Sequence, residues 1–263
     1  MIEGIIMGLI QGIAEWLPIS SEGLLVLADI HLFGSTSVSE SISLAVFLHL
    51  GTFAAALCYF WRDVVRLVRA GISWKDASIA ERKLIQFLAI ATLVSALLGG
   101  LFLVLIDTWE NFFLLSGKVA TFGIGGMLLI TGLIMLQRKA HIERELSSMS
   151  VTDALLLGAA QGSAAIPGIS RSGITVSGLL LRGFGDATAL RVSFLMSLPI
   201  VLLGNIFLNV NNLSFSIEAV LGLVVAFVAG LSTIHVLLTF ARKVSFSRFV
   251  IVFALLLIFS VFF

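Results

Sequence analysis

The stretch GLIQGIAEWLPISSEG at residues 8–23 recurs, with changes, as GAAQGSAAIPGISRSG at residues 158–173. Each copy places a proline, Pro18 or Pro167, inside apolar sequence. Proline removes a backbone donor, and a helix broken at membrane depth is tolerated only where the freed backbone is buried or lines a cavity. We therefore predict a re-entrant helical hairpin in each copy. Seven positions coincide after a shift of 150 residues: Gly8, Gln11, Gly12, Ala14, Ile19, Ser20 and Gly23 match Gly158, Gln161, Gly162, Ala164, Ile169, Ser170 and Gly173.

The composition is that of an integral membrane protein. Hydrophobic residues make up 59% of the 263 residues, charged residues only 12%, and the mean hydropathy is +1.13. Soluble domains are not this apolar. We predict an all-α integral membrane protein with six transmembrane helices plus two re-entrant hairpins, in a single membrane domain over residues 1–263. Apolar segments of roughly 20 residues, the length that spans a bilayer, lie at 41–61, 84–106, 116–137, 192–208, 217–240 and 246–263.

Composition also excludes several classes of function. The single cysteine, Cys58, provides neither a disulfide framework nor a thiolate metal site. The formal net charge of +1 gives no reason to expect nucleic acid as a partner.

The distribution of basic residues predicts the topology. Lys and Arg cluster at 62–83, 138–144, 182–191 and 242–248, so these loops are predicted to be cytoplasmic and the loops between them to lie outside. The hairpin over 151–181 then starts and ends in the cytoplasm, and the hairpin over 1–29 ends outside. Three spans separate the two copies, and an odd number of crossings turns the second copy upside down.

The prediction is therefore an inverted repeat, with repeat one at 1–140 and repeat two at 150–263. Such architectures bring broken half-helices together near the bilayer midplane, where their ends form a ligand site. Glycines at every fourth position of the first hairpin, Gly4, Gly8 and Gly12, favour close helix packing, as do Ala154, Gly158 and Gly162 of the second.

The first hairpin carries ionisable and polar residues deep in apolar sequence. Gln11 and Glu15 are four residues apart and share one helix face. A carboxylate there costs about 2.5 to 3.5 kcal/mol on insertion scales, so it indicates a function unless a neighbouring helix satisfies it. Ser20, Ser21 and Glu22 follow the proline, where helix capping and chemistry are equally good explanations.

The second hairpin carries Arg171, a basic residue far from every aqueous loop. A guanidinium binds phosphate oxygens bidentately, and a helix N-terminus with the hydroxyls of Ser170, Ser172 and Thr175 favours an anion. The simpler alternative is that Arg171 only pairs with Glu15, which leaves the hydroxyl cluster unexplained.

Four motifs in this order resemble the undecaprenyl-pyrophosphate phosphatase family, also known as the bacitracin-resistance protein family. They are Gln11-x-x-x-Glu15, Leu17-Pro-Ile-Ser20-Ser21-x-Gly23, His49-Leu-Gly-Thr52 and Pro167-Gly-x-Ser-Arg-Ser-x-x-Thr175. The resemblance implies a cell-membrane enzyme of carrier-lipid recycling in cell wall biogenesis. Such an enzyme hydrolyses the terminal phosphate of a polyprenyl diphosphate, uses a divalent cation, Mg²⁺ or alternatively Ca²⁺, and opens its active site to the outer face. Association into a homodimer is left open.

The resemblance also implies roles for individual residues. Glu15 corresponds to the catalytic carboxylate, and Gln11 to its companion in metal or phosphate binding. Arg171, with Ser170, Ser172 and Thr175, corresponds to the diphosphate clamp. Mg²⁺ commonly binds through one or two carboxylates plus substrate phosphates and water, so Glu15 and Gln11 need not form a complete cage.

One position departs from the family pattern. Many bacterial members carry a histidine directly after the motif glycine, where this chain has Leu24. The remaining mechanisms are attack by Ser21 with Glu15 as base, or attack by a water that Glu15 and the cation orient. Glu22 is a second candidate carboxylate, and His49 is either a packed histidine or a site residue.

Two other functions compete with the phosphatase. A transporter or flippase for an anionic polyprenyl phosphate lipid is compatible, because inverted repeats with broken helices are also a transporter architecture. A non-catalytic lipid-binding protein that lost turnover with the histidine is the third hypothesis.

Overall fold

The computed structural model describes residues 1–17, 21–33, 38–108, 143–165, 169–209, 216–241 and 246–261, with a few single residues between 122 and 136. No β-strand occurs in these ranges. The helices are α1 (Ile2–Ala14), α2 (Ser21–Phe33), α3 (Val38–Tyr59), α4 (Trp61–Ile72), α5 (Ile79–Thr108), α6 (Val151–Ser163), α7 (Arg171–Leu181), α8 (Asp186–Asn209), α9 (Ile217–Ala241) and α10 (Phe246–Ser260).

Three of these helices, α5, α8 and α9, are long and apolar enough to cross a membrane. The bent pair of Leu44–Tyr59 and Trp61–Ile72 adds a fourth candidate. The prediction of an all-helical protein with several membrane-spanning helices is therefore confirmed. The predicted span at 246–263 corresponds to the 15-residue α10, and the one at 116–137 lies outside the continuously described ranges.

Both predicted hairpins consist of two helices separated by a break. Helix α1 ends at Ala14 and α2 begins at Ser21, while α6 ends at Ser163 and α7 begins at Arg171. The two helices of each pair pack against each other. Pro18 and Pro167 themselves lie outside the described residues.

Glycines bring the first helix of each pair against a long apolar helix. In α1, a Cβ added at Gly8 would lie 2.2 Å from the carbonyl oxygen of Gly222 in α9. In α6, a Cβ at Gly158 would lie 2.8 Å from the carbonyl oxygen of Ala91 in α5. The predicted close packing along the glycine faces is confirmed at both positions.

This packing makes a stability prediction. We expect Gly8→Ala to lower the free energy of unfolding by about 1 to 3 kcal/mol, because the new methyl group meets backbone that cannot rotate away. Gly71→Ala in α4 is the matched control, since its Cβ enters open space. Thermal unfolding of both variants in detergent measures the difference, and equal melting temperatures would contradict the close approach.

Helices α3 and α8 pack on each other, and an aromatic cluster joins them to the residues that follow α1. Trp16 packs edge-on against Phe194, with 4.8 Å between ring centroids, and Phe60 lies 6.3 Å from Phe194 on another side. All three side chains are buried. This aromatic cluster fixes the end of α1, where Glu15 lies.

A buried carboxylate joins α6 and α7 at the ends of these helices that lie away from the break between them. Asp153 near the start of α6 accepts hydrogen bonds from both Arg144 and Arg182, at 2.9 Å for Arg144 Nη2 and 2.5 Å for Arg182 Nε. Ser150 caps the same helix in a reciprocal capping box with Asp153. The start of α6 and the end of α7 are therefore tied together.

Candidate active site

Glu15 is the centre of a polar cluster that four helices build. It follows α1, is buried, and its Oε1 accepts a hydrogen bond from Arg171 of α7. Its Oε2 accepts from Ser21 Oγ of α2 at 2.8 Å and from Gln11 Nε2 of α1 at 3.2 Å. His49 Nε2 of α3 lies 3.1 Å from the same oxygen. Among the described residues, the donors to this carboxylate are therefore side chains.

His49 belongs to this cluster rather than to the apolar packing alone. Its Nδ1 lies 2.6 Å from the carbonyl oxygen of Ala45, and its Nε2 faces Glu15. A carbonyl and a carboxylate are both acceptors, so both contacts are hydrogen bonds only when each ring nitrogen carries a proton. The ring then adds a second positive group beside Glu15.

Arg171 is held from three sides. Besides its ion pair with Glu15, Nη1 donates to the carbonyl oxygen of Ser193 at 3.4 Å, and the guanidinium lies 5.8 Å from the centre of the Trp16 ring. The side chain remains 14% exposed. Glu15 and Arg171, from opposite halves of the chain, therefore form the ion pair that the simpler interpretation of Arg171 predicts, and Arg171 also lines the adjacent cavity.

The predicted clamp hydroxyls are buried and make contacts within the protein. Ser170 Oγ caps α7 by accepting from the amide of Gly173 at 3.1 Å. Ser172 Oγ donates to the carbonyl oxygen of Leu17 and so links the two broken pairs. Thr175 Oγ1 donates to the carbonyl oxygen of Arg171 at 2.8 Å. These bonds fix the position of Arg171, and direct contact of the hydroxyls with a diphosphate stays a prediction.

A cavity of about 320 Å³ opens beside the cluster. Its polar end is lined by Glu15, Ser21, Glu22, His49, Arg171 and Ser172. The rest of its wall comes from α5, α8 and the end of α6 and is mostly apolar or glycine, with Gly99, Gly100, Leu203, Gly204 and Phe207 beside the polar Ser95 and Gln161. Gln11, Ser170 and Thr175 lie behind this lining, and Ser20 lies outside the described residues. The cavity can therefore receive a molecule with a charged head and an apolar tail.

Two side-chain contacts of the site were not predicted from the sequence. Thr52 Oγ1 receives a hydrogen bond from Gln11 Nε2 at 3.4 Å and fixes the orientation of that amide. Gln161, which matches Gln11 in the repeat, lines the cavity and donates to Ser95 Oγ at 3.0 Å. The match of Gln161 with Gln11 in the repeat could have indicated that Gln161 belongs to the site. Nothing in the sequence indicated that α5 packs beside Gln161.

The oxygen donors of the cluster fit a hard divalent cation. The amide oxygens of Gln11 and Gln161 are buried and have no hydrogen-bond partner among the residues that the structure describes, and Glu22 adds a carboxylate at the cavity wall. Within the described residues no group of three or more His, Cys, Asp or Glu forms a metal cage. A cation would therefore take one or two carboxylates and an amide oxygen from the protein, with other ligands from substrate and water.

Comparison with known proteins gives a consistent result. Residues 4–259 match the family model described as bacitracin resistance protein BacA. An undecaprenyl-diphosphatase of Methanococcoides burtonii is 44% identical over 256 residues, which cover 95% of this chain and 94% of that protein. Proteins of the same name from Methanothrix thermoacetophila and Desulforudis audaxviator are 36% and 37% identical, with 95% of this chain covered and 93% and 92% of the relatives.

The match with the family model extends over nearly the whole chain, and so does each of these three relatives. The motifs that carry the resemblance, from Gln11 to Thr175, all fall inside the matched region. The chain belongs to the bacitracin resistance protein BacA family.

Proposed function

We propose that the protein is a polyprenyl diphosphate phosphatase of undecaprenyl type, which hydrolyses the terminal phosphate and regenerates the monophosphate carrier lipid. The observation that carries this proposal is the contact of Glu15 with both Arg171 and Ser21 at the polar end of a cavity whose remaining wall is mostly apolar. The names of the relatives support the same activity.

In the proposed reaction Arg171 binds the oxygens of the diphosphate and orients the terminal phosphorus toward Ser21. Ser21 Oγ donates its proton to Glu15 and attacks that phosphorus, and the bridging P–O bond breaks to release the lipid monophosphate. Water then attacks the phosphoserine, which frees inorganic phosphate and restores the serine hydroxyl. The hydrogen bond of 2.8 Å between Ser21 and Glu15 favours this route over direct attack by water. Leu24, where many relatives have histidine, contributes no proton-transfer group.

The divalent cation, Mg²⁺ or Ca²⁺, is proposed to bind at Glu15 and Gln11. When bound, it neutralises charge on the phosphate oxygens. In the resting arrangement Arg171 supplies positive charge beside Glu15, and so does His49 when both of its ring nitrogens are protonated. They hold the carboxylate in place until substrate phosphate arrives.

The mechanism makes a prediction for the nucleophile. We expect Ser21→Ala to lower the rate at least about a hundredfold, because the attacking oxygen is lost. Ser163→Ala is the control, since that hydroxyl bonds the carbonyl oxygen of Ala160 within α6. Released phosphate measures both rates. Near-normal turnover of Ser21→Ala would rule out the serine route and favour water oriented by Glu15.

We further propose that the chain is an inverted repeat of six spans and two re-entrant hairpins, with the active site open to the outer face. Its support is a set of paired contacts: α1 packs on α9 as α6 packs on α5, and α2 packs on α3 as α7 packs on α8. Helices α3 and α8 pack on each other across the proposed pseudo-twofold axis.

The same paired contacts favour a flippase for an anionic polyprenyl phosphate lipid as the second candidate. One experiment separates the two. The purified protein in detergent is incubated with a polyprenyl diphosphate and Mg²⁺, with and without EDTA, and inorganic phosphate is measured. The phosphatase proposal expects release that EDTA abolishes. Absence of release, together with lipid translocation in vesicles, would favour the flippase.

A further inference from the structure

Helix α4 leaves the direction of the span before it. The apolar segment Leu44–Tyr59 and the helix Trp61–Ile72 meet at an angle of 76°. If Leu44–Tyr59 follows the membrane normal, α4 lies nearly in the plane of the membrane surface. Amphipathic helices in this orientation lie at the boundary between headgroups and acyl chains.

One face of α4 is apolar and turned away from the protein. Trp61, Val65, Val68 and Ile72 share this face at helical spacing. Trp61 is 57% exposed, Val68 56% and Ile72 81%. Other apolar residues of the same helix, Val64 and Leu67, pack on the protein core. The exposed face is therefore additional to the one that attaches α4.

The face beside it is basic and lines a cleft. Arg62, Arg66 and Arg69 surround a space of about 490 Å³ between α4 and the turn that leads to α5, with Asp76 and Glu81 on the other wall. Within the described part of the chain, none of the three guanidiniums forms an ion pair or hydrogen bond. Glu81 accepts hydrogen bonds from the Ser78 amide and hydroxyl at 2.8 and 2.7 Å.

Several other arginines of the described chain have side-chain partners, although the exposed Arg248 has none among the described residues. Arg171 pairs with Glu15 and Arg191 with Asp63. Arg144 and Arg182 share Asp153. The three arginines of α4 are thus cations grouped around one cleft without a direct ion pair among the described residues, although Arg66 interacts electrostatically with Glu81 across it. An arginine fork binds phosphate oxygens bidentately.

We propose that this cleft binds the headgroup of an anionic phospholipid in the leaflet that the basic loops face. Trp61 and Val65 belong both to the apolar face and to the cleft wall, so an occupant of the cleft also touches apolar side chains. Phosphate oxygens meet the arginines, and the acyl chains run along Trp61, Val68 and Ile72. A soluble anion without acyl chains would make no contact with that apolar face. The site is separate from the diphosphate cavity and involves none of its residues.

The test measures binding of phosphatidylglycerol to the detergent-purified full-length protein by native mass spectrometry. The variant is the double substitution Arg66→Gln with Arg69→Gln. The matched control is Lys83→Gln with Arg248→Gln, which removes equal charge from exposed residues outside the cleft. Phosphatidylcholine and glycerol 3-phosphate are the comparison ligands. Hydrolysis of a polyprenyl diphosphate in detergent is followed in parallel.

We expect phosphatidylglycerol to bind at least about tenfold more weakly to the cleft variant than to the unaltered protein, and the control to bind nearly as well as the unaltered protein. Hydrolysis in detergent should be unchanged, so the result is independent of the proposed function. An equal loss of phosphatidylglycerol binding in the cleft variant and the control would show that the effect depends only on net charge, and it would overturn the proposed lipid site. Competition by glycerol 3-phosphate as effective as that by phosphatidylglycerol would overturn the lipid assignment.

Discussion

Glu15→Gln is expected to lower the rate of phosphate release at least about a hundredfold, the usual scale for loss of a general base. The amide keeps the size of the side chain but cannot take the proton of Ser21. It also leaves Arg171 and His49 without the negative charge that both contact. The rate loss should appear in kcat, measured with saturating polyprenyl diphosphate and Mg²⁺.

Glu3→Gln is the matched control because Glu3 lies on the same helix, in its first turn, away from the cavity lining. That variant should turn over at close to the unaltered rate. The melting temperature of both proteins shows whether the fold survives. A folded Glu15→Gln protein that keeps more than a tenth of its activity would exclude the role of Glu15 as base.

The second large effect is expected for Arg171→Ala, with a loss of about a hundredfold or more in kcat/KM. Removing one preorganised donor to a developing negative charge has this magnitude in other enzymes. The kcat/KM of Arg171→Lys should lie between those of Arg171→Ala and the unaltered protein, because lysine keeps the charge but lacks the planar guanidinium that binds two phosphate oxygens. The series is measured by initial rates over a range of substrate concentrations.

Arg191→Ala controls for the loss of an ion-paired arginine. Arg191 pairs with Asp63 outside the cavity, so its removal should affect stability more than the activity of the folded protein. If Arg171→Lys is as active as the unaltered protein, bidentate binding is not required. If Arg191→Ala loses as much activity as Arg171→Ala, the effect of Arg171 is structural.

The sequence predicted those features of the fold that local chemistry determines. Proline within apolar sequence predicted a break in each repeat copy, and helices end at Ala14 and Ser163 before those breaks. The glycine spacing predicted close helix contacts, and Gly8 and Gly158 lie against backbone carbonyls. Hydropathy predicted where long apolar helices lie.

Helix ends were less predictable because tertiary contacts determine them. The predicted span at 192–208 belongs to α8, which begins at Asp186. The polar first turns of α8 are stabilised by the pairing of Arg191 with Asp63. Hydropathy does not detect this pair because the two residues are far apart in sequence. The angle between α3 and α4 likewise depends on how Val64 and Leu67 pack on the core.

In the candidate site, the pairing of Glu15 with Arg171 was one of the two interpretations that the sequence allowed for Arg171, because an ionisable group in apolar sequence needs a partner. The two residues lie in the two copies of the sequence repeat, at residues 8–23 and 158–173. The position of His49 beside Glu15 was only one of two alternatives, since a histidine in an apolar span also packs without function. The contact of Gln161 with Ser95 was not predicted, because it depends on the packing of α6 on α5.

The central claim is that one diphosphate is bound by residues from both halves of the chain. An experimental structure with a methylene-bridged polyprenyl diphosphate analogue, which cannot be hydrolysed, tests it most directly. We predict that Arg171 contacts the phosphate oxygens, that Ser21 Oγ faces the terminal phosphorus, and that the prenyl chain lies between α5 and α8. An analogue bound away from Glu15 and Arg171, or contacting residues of one half alone, would contradict the account.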